Sequence, residues 1–135
     1  TVHGRTCGTL LPYVIRYNGT KPEKPGLWPK YQYYNADERY AQLAHAIGLK
    51  FNTVQEGVEK FAKAVHDLGI EVGMAMNFKS QNVDKKEWEE NLEKLAYLSY
   101  EDQCSPANPR VPMIKDMIEL MRAAYEGTEI HYEQH

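Results

Sequence analysis

One punctuation pattern recurs along this chain and leaves little room for anything but helices. Asn35/Glu38, Thr53/Glu56 and Asp84/Glu87 each set a short polar side chain three residues ahead of a glutamate. At that spacing the first side chain accepts a bond from the glutamate N–H while the glutamate reaches back. Apolar residues then follow at three- and four-residue intervals: Val58, Phe61, Ala62, Val65 and Leu68 after Thr53, and Trp88, Leu92, Leu95 and Ser99 after Asp84. Glycine stands where stripes end, so Gly48, Gly69 and Gly127 read as helix stops.

The same periodicity places a first helix over Gly4 to Tyr17, carrying Leu10, Leu11, Val14 and Ile15, with Asn18-Gly19 as a left-handed stop and His3 at its N-terminal edge. Pro12 must either sit near the first turn of that helix, where its missing N–H is harmless, or kink it. A last helix carries Ile114, Met117, Ile118, Met121 and Tyr125, whose methionines read as core filling rather than a cofactor surface. Between the first two helices, GTKPEKPGLWPKYQYYN holds three prolines and two glycines among aromatics. It predicts an irregular connection whose Trp28, Tyr31, Tyr33 and Tyr34 lie packed along the domain or under a neighbour. Ile70 to Phe78 alternates weakly and reads as a short extended or irregular stretch, and EDQCSPANPRVP as a tight loop before the last helix. The expectation is an all-α domain, a helical bundle of about five helices over residues 1–135.

With 135 residues and a 42% apolar fraction, one core is expected. A formal charge of −3 offers no basic field to a phosphate backbone, so nucleic acid is an unexpected partner. No apolar run approaches the roughly 18 residues of a membrane span, and no signal-peptide pattern is present. Cys7 and Cys104 stand too far apart in sequence for a dense disulfide scaffold, which points to free thiols and a cytoplasmic location.

Among the histidines, His45 and His66 fall inside amphipathic helices and read as solvated or partly packed. His131 and His135, four apart in a tail beyond Gly127, read as an adventitious metal binder rather than a built site. His3 differs because Gly4 clears bulk beside it and a helix supports it. Cys7, four residues on, is open to two readings: a small buried hydrophobe, or a side chain sharing the His3 face and a metal with it.

The string HGRTCGTLLPYVIRYNG is similar to the signature around the last metal-ligand histidine of the iron-dependent alcohol dehydrogenases. YEDQCSPANPRVP resembles that family's loop before its last helix, and WPKYQYYNADERYAQLA resembles the bifunctional aldehyde/alcohol dehydrogenases. The resemblance covers essentially the whole chain. It implies the C-terminal helical part of a larger enzyme, with an upstream NAD-binding domain and Fe²⁺ in the cleft between the two. His3 falls on the last of four protein ligands, the others being an aspartate and two histidines that precede this chain. Cys7 departs from the family's usual asparagine and Gly8 from its usual alanine, while Cys104 falls on a substrate-side loop, as a catalytic-pocket residue or a packed thiol.

The resemblance further implies NADH-dependent reduction of acetaldehyde to ethanol in fermentation, and self-association into oligomers or helical filaments. Neither Fe²⁺ nor NAD is expected to bind these 135 residues stably on their own, and the isolated segment is expected to be inactive. An alternative from another class is a non-catalytic helical assembly module in which His3 is incidental.

Overall fold

Pro12 falls in the middle of a helix that does not stop for it. The computed structural model describes residues 2–23 and 32–132, and within them five α-helices: α1 (His3–Asn18), α2 (Ala36–Ala46), α3 (Val54–Glu71), α4 (Lys85–Glu101) and α5 (Ile114–Glu126). No strand is present among the described residues. Short 3-10 turns at Lys79–Gln81 and Ser105–Ala107 lead into and out of α4. Pro12 is the tenth residue of α1 and is buried, so the helix begins at His3 rather than near the proline. The ring removes the donor that the Gly8 carbonyl would otherwise take.

α1 is the central element. α2 pairs with α3 and α4 with α5, while α1 packs against α3 on one side and α5 on the other. Its residues feed two separate cores. Ile15 packs with Val58 and Ala62 of α3, whereas Tyr13 joins Phe78 and the Ala123–Ala124–Tyr125 run of α5. Trp88 seals the second core by stacking on Phe78 at 4.8 Å. Arg16, 6% exposed, crosses to α3, where its Nε and Nη2 each donate to Glu59 Oε1 at 2.8 Å. A guanidinium so far out of water needs a counter-charge, and the Glu59 carboxylate supplies it.

Two of the three capping pairs form. The Glu56 N–H donates to Thr53 Oγ1 at 3.1 Å and the Glu87 N–H to Asp84 Oδ1 at 2.8 Å. Asn35 occupies the N-cap of α2 without making the cap bond, because the neighbouring Asp37 carboxylate takes the Glu38 N–H instead. Gly48 and Gly127 do stand in the left-handed conformation, with φ of +86° and +81°.

Gly19 and Gly69 are not left-handed stops. The α1 chain leaves through Gly19 at φ −83°, and α3 runs on through Gly69 to Glu71, closing at Gly73 with φ +83°. Both are glycines for want of space: a Cβ on Gly19 would overlap Val58 Cγ1, and one on Gly69 would overlap the Met76 sulfur. The 72–78 stretch after α3 is irregular rather than extended. The methionine stripe of α5 is only half-buried, since the fully buried residues of that helix are Ala123, Ala124 and Tyr125.

The loop before α5 is held by its polar residues. Arg110 Nη1 donates to the carbonyls of Tyr17 and Thr20, both at 3.2 Å, and its guanidinium lies 4.3 Å above the Tyr17 ring. Asn108 Nδ2 donates to Asn18 Oδ1 at 2.7 Å. The Tyr17 hydroxyl sits 2.8 Å from the Val111 carbonyl and 3.0 Å from Asp116 Oδ2. In the connection between α1 and α2, Tyr34 packs with its hydroxyl donating to the Asn18 carbonyl, whereas Tyr33 is exposed; Trp28 and Tyr31 lie outside the described residues.

Two tests follow from this packing. Gly19→Ala should cost about 2 kcal/mol in urea unfolding, since the added methyl overpacks the α1–α3 contact. Adding Val58→Ala to the same chain should recover part of that loss; strict additivity of the two losses would show that the contact is not the cause. Burial, reinforced by the Asp116 carboxylate, pushes the Tyr17 phenol up to about 12, and burial likewise raises Tyr13, Tyr34 and Tyr132 above the ordinary 10. Stability from these groups is therefore fully present below pH 10 and is lost as pH rises toward 12. Tyrosinate absorbance and helical circular dichroism should change together in that window. Tyrosinate formation completed near pH 10 with helix content intact would refute the assignment.

Candidate functional site

The first turn of α1 is open to solvent. Val2, in extended conformation, precedes the helix without a side-chain cap, and the Thr6 N–H donates to its carbonyl at 3.1 Å. His3 begins the helix and is exposed. A Cβ on Gly4 would meet nothing within 4 Å, so the ground beside the imidazole is clear. Cys7, one turn on, is exposed too, and its Sγ lies 3.5 Å from His3 Nε2. The buried-hydrophobe reading of Cys7 is thus corrected. The adjacent Gly8 is the residue that faces the domain: a Cβ there would come 2.9 Å from the Met74 methyl, which packs against α1 at that point.

An iron centre built from imidazole and carboxylate donors needs several of them in one place. Among the described residues, no three His, Cys, Asp or Glu side chains converge. His3 fits such a centre as one nitrogen donor, accessible and rigidly supported, with the remaining donors to come from elsewhere. His45 is exposed and His66 partly so, the latter 3.6 Å from Asp67. His131 lies near Glu59 and Glu129, at 3.9 and 3.8 Å, while His135 lies outside the described residues.

Cys104 is placed elsewhere. It is exposed just ahead of the 3-10 turn Ser105–Ala107, and its backbone N–H donates to Asp102 Oδ1 at 2.8 Å. It lines a cavity of about 540 Å³ between α1, α4 and α5, walled by Leu10, Val14, Leu95, Leu98, Met117 and Met121. The half-buried methionines of α5 are explained by this cavity. No histidine lines it, so its lining offers Cys104 no imidazole as a base, and His3 is not part of its wall. Helix rise alone sets His3 about 10 Å before Leu10 along α1. The two residues singled out in the sequence therefore occupy different parts of the molecule.

Arg110 and Asn108, which fasten the Cys104 loop to the end of α1, were not marked out by sequence pattern. Their signal was faint: an arginine after Asn-Pro in a proline-rich loop, where a flexible cation needs fixed partners. Tyr132 completes that cluster, with its ring 5.2 Å from Tyr17 and edge-on to it. No helix among the described residues is long and apolar enough to cross a membrane.

Comparison with known proteins extends these observations. The family described as "Fe-containing alcohol dehydrogenase family, C-terminal" matches residues 1–125. An aldehyde-alcohol dehydrogenase of Streptococcus pneumoniae serotype 4 is 58% identical over 127 residues, covering 94% of this chain and 14% of that protein. Aldehyde-alcohol dehydrogenase 2 of Entamoeba histolytica is 54% identical over 91% of this chain and 14% of its own length. The bifunctional aldehyde-alcohol dehydrogenase of Escherichia coli K12 is 29% identical over 94% of this chain. The chain thus spans about one seventh of the length of these relatives. With an all-α architecture and a family match over 125 of its 135 residues, the chain belongs to the Fe-containing alcohol dehydrogenases, as their C-terminal part.

Proposed function

We propose that this chain is the C-terminal helical part of the alcohol dehydrogenase unit in a bifunctional aldehyde-alcohol dehydrogenase, reducing acetaldehyde to ethanol with NADH in the cytoplasm during fermentation. The observation that carries the reading is the 58% identity, over 94% of the chain, to a protein named an aldehyde-alcohol dehydrogenase. The accessible imidazole of His3 at the head of α1 supports its site assignment. In this reading His3 contributes one nitrogen to a site for Fe²⁺, which supplies a Lewis acid toward the substrate oxygen when bound. The chain's own part is positional. α1, fixed by both cores, holds the ligand nitrogen at a set height, and Gly4 leaves approach to it open.

The upstream NAD-binding domain supplies the remaining ligands and the dinucleotide site. Val2, beside His3 at the free end of α1, is exposed and suits coverage by such a domain. Cys104 enters as a wall of the cavity between α1, α4 and α5, without a proton to carry. Assembly of the enzyme into oligomers or filaments uses apolar helix faces of the kind that Leu95, Tyr97 and Leu98 present.

In the full-length bifunctional enzyme, His3→Ala should lower ethanol formation at least about 100-fold while the aldehyde dehydrogenase half keeps working. Normal ethanol formation by that variant would remove the assignment. The 135 residues alone, given Fe²⁺, NADH and acetaldehyde, should consume no NADH above a protein-free control, because one matched ligand does not make a catalytic centre. Calorimetric titration with NAD should show no saturable binding. Turnover, or micromolar NAD affinity, would place the cofactor site within this chain.

A further inference from the structure

We propose that the chain beyond α5 is a clasp, and that Tyr132 is its positioning residue, holding the Cys104 loop against the end of α1. The clasp stands on contacts within this chain; only its kinetic consequence rests on the proposed function. Residues 126–132 follow the 125 that the family matches, so the clasp is an addition to the matched domain.

Gly127, at φ +81°, turns the backbone out of α5, and the Thr128 N–H donates to the Ala123 carbonyl at 3.1 Å. The tail then returns across the helices. Ile130 packs on the core that joins Tyr13 to α5. Glu129 Oε1 lies 3.9 Å from Arg16 Nη2, and His131 Nδ1 lies 3.9 Å from Glu59 Oε2. Ion pairs this long, with Glu129 and His131 both largely exposed, contribute little. Tyr132 makes the decisive contact. Its ring meets Tyr17 edge-on at 5.2 Å, and the Arg110 guanidinium lies 4.3 Å from the Tyr17 ring centre and 5.4 Å from that of Tyr132. One cation is thus shared by two rings.

The Tyr132 hydroxyl is buried and has no hydrogen-bond partner. An unpaired phenol out of water costs free energy, so the ring and its contact with Arg110 hold the residue in place. Arg110 in turn bonds the Tyr17 and Thr20 carbonyls at the end of α1. Those bonds are stronger where aromatic rings keep water away. The same loop supplies Cys104, Ser105, Asn108 and Pro112 to the wall of the cavity between α1, α4 and α5. Tyr132, the last described residue, therefore fixes one side of that cavity without lining it.

Hydrogen exchange in the full-length enzyme, read by mass spectrometry on peptides from the 102–113 loop and from α3, tests the clasp. The Cys104, Ser105, Ala107 and Asn108 N–H groups are all bonded within the loop, so their exchange reports its opening. Tyr132→Leu keeps an apolar side chain but offers Arg110 no ring. Loop exchange should then quicken about tenfold, the scale of one desolvated cation–ring contact, while α3 exchanges as before. Tyr132→Phe should exchange like the parent, because the hydroxyl it lacks bonds nothing.

Loop exchange unchanged in Tyr132→Leu would overturn the clasp. So would α3 quickening in step with the loop, which would make the tail a general support of the fold, or a Tyr132→Phe enzyme that behaves like Tyr132→Leu. In the alcohol dehydrogenase reaction, Tyr132→Leu should raise the KM for acetaldehyde severalfold with kcat and the aldehyde dehydrogenase half preserved, and Tyr132→Phe should restore the parent KM. An unchanged KM beside a loosened loop would overturn the kinetic role. Failure of the proposed function appears elsewhere, as normal ethanol formation in His3→Ala, a variant that leaves every contact of the clasp in place.

Discussion

Everything in this fold depends on the burial of the C-terminal half of α1 between two helix pairs. Tyr13 turns to α5 and Ile15 to α3, only two residues apart, so one helix closes two cores. The closeness of the α1–α3 contact is limited by Gly19 against Val58, where no further atom fits. Beside it the buried Arg16 meets the partly exposed Glu59, and losing that carboxylate would leave the guanidinium without its nearest counter-charge. The tyrosine and arginine cluster at the end of α1 then ties the 102–113 loop to the same helix. Polar contacts here orient, while the two small apolar cores supply the burial.

Helix content and order were legible in the sequence because they rest on local chemistry. The Thr53 and Asp84 caps need only a side chain and a backbone N–H three residues later, and both form. Asn35 fails the same rule for an equally local reason, a competing carboxylate at Asp37. Gly19 and Gly69 were misread because two physical demands select the same residue. Left-handed backbone and missing space look alike in one dimension, and only the partner helix or the Met76 side chain distinguishes them.

Legibility at the candidate site divides along the same line. His3 stood out by its flanking glycine and the helix behind it, both local features. Cys7 was ambiguous because whether a cysteine is buried depends on what packs across the helix. The structure answers that α1 turns Gly8 toward Met74 and leaves Cys7 in solvent. Arg110 was invisible for a stronger reason: its partners, Tyr17 and Thr20, lie about ninety residues earlier. Cys104 and His3 share a helix bundle but not a cavity, which separates the apolar wall from the His3 end of α1.

The position of His3 at the free end of α1 makes the helix a lever. Its fulcrum is the buried stretch from Thr9 to Asn18, and its arm is the run of six residues from His3 to Gly8, about 10 Å long by helix rise. A tilt of only a few degrees at the fulcrum moves the imidazole by roughly 1 Å, a displacement large on the scale of coordination geometry. Because α3 and α5 grip the fulcrum from opposite sides, a change in the packing of either pair is transmitted to the same nitrogen. Residues such as Val58 and Ala124, far from His3, thereby set the aim of its imidazole.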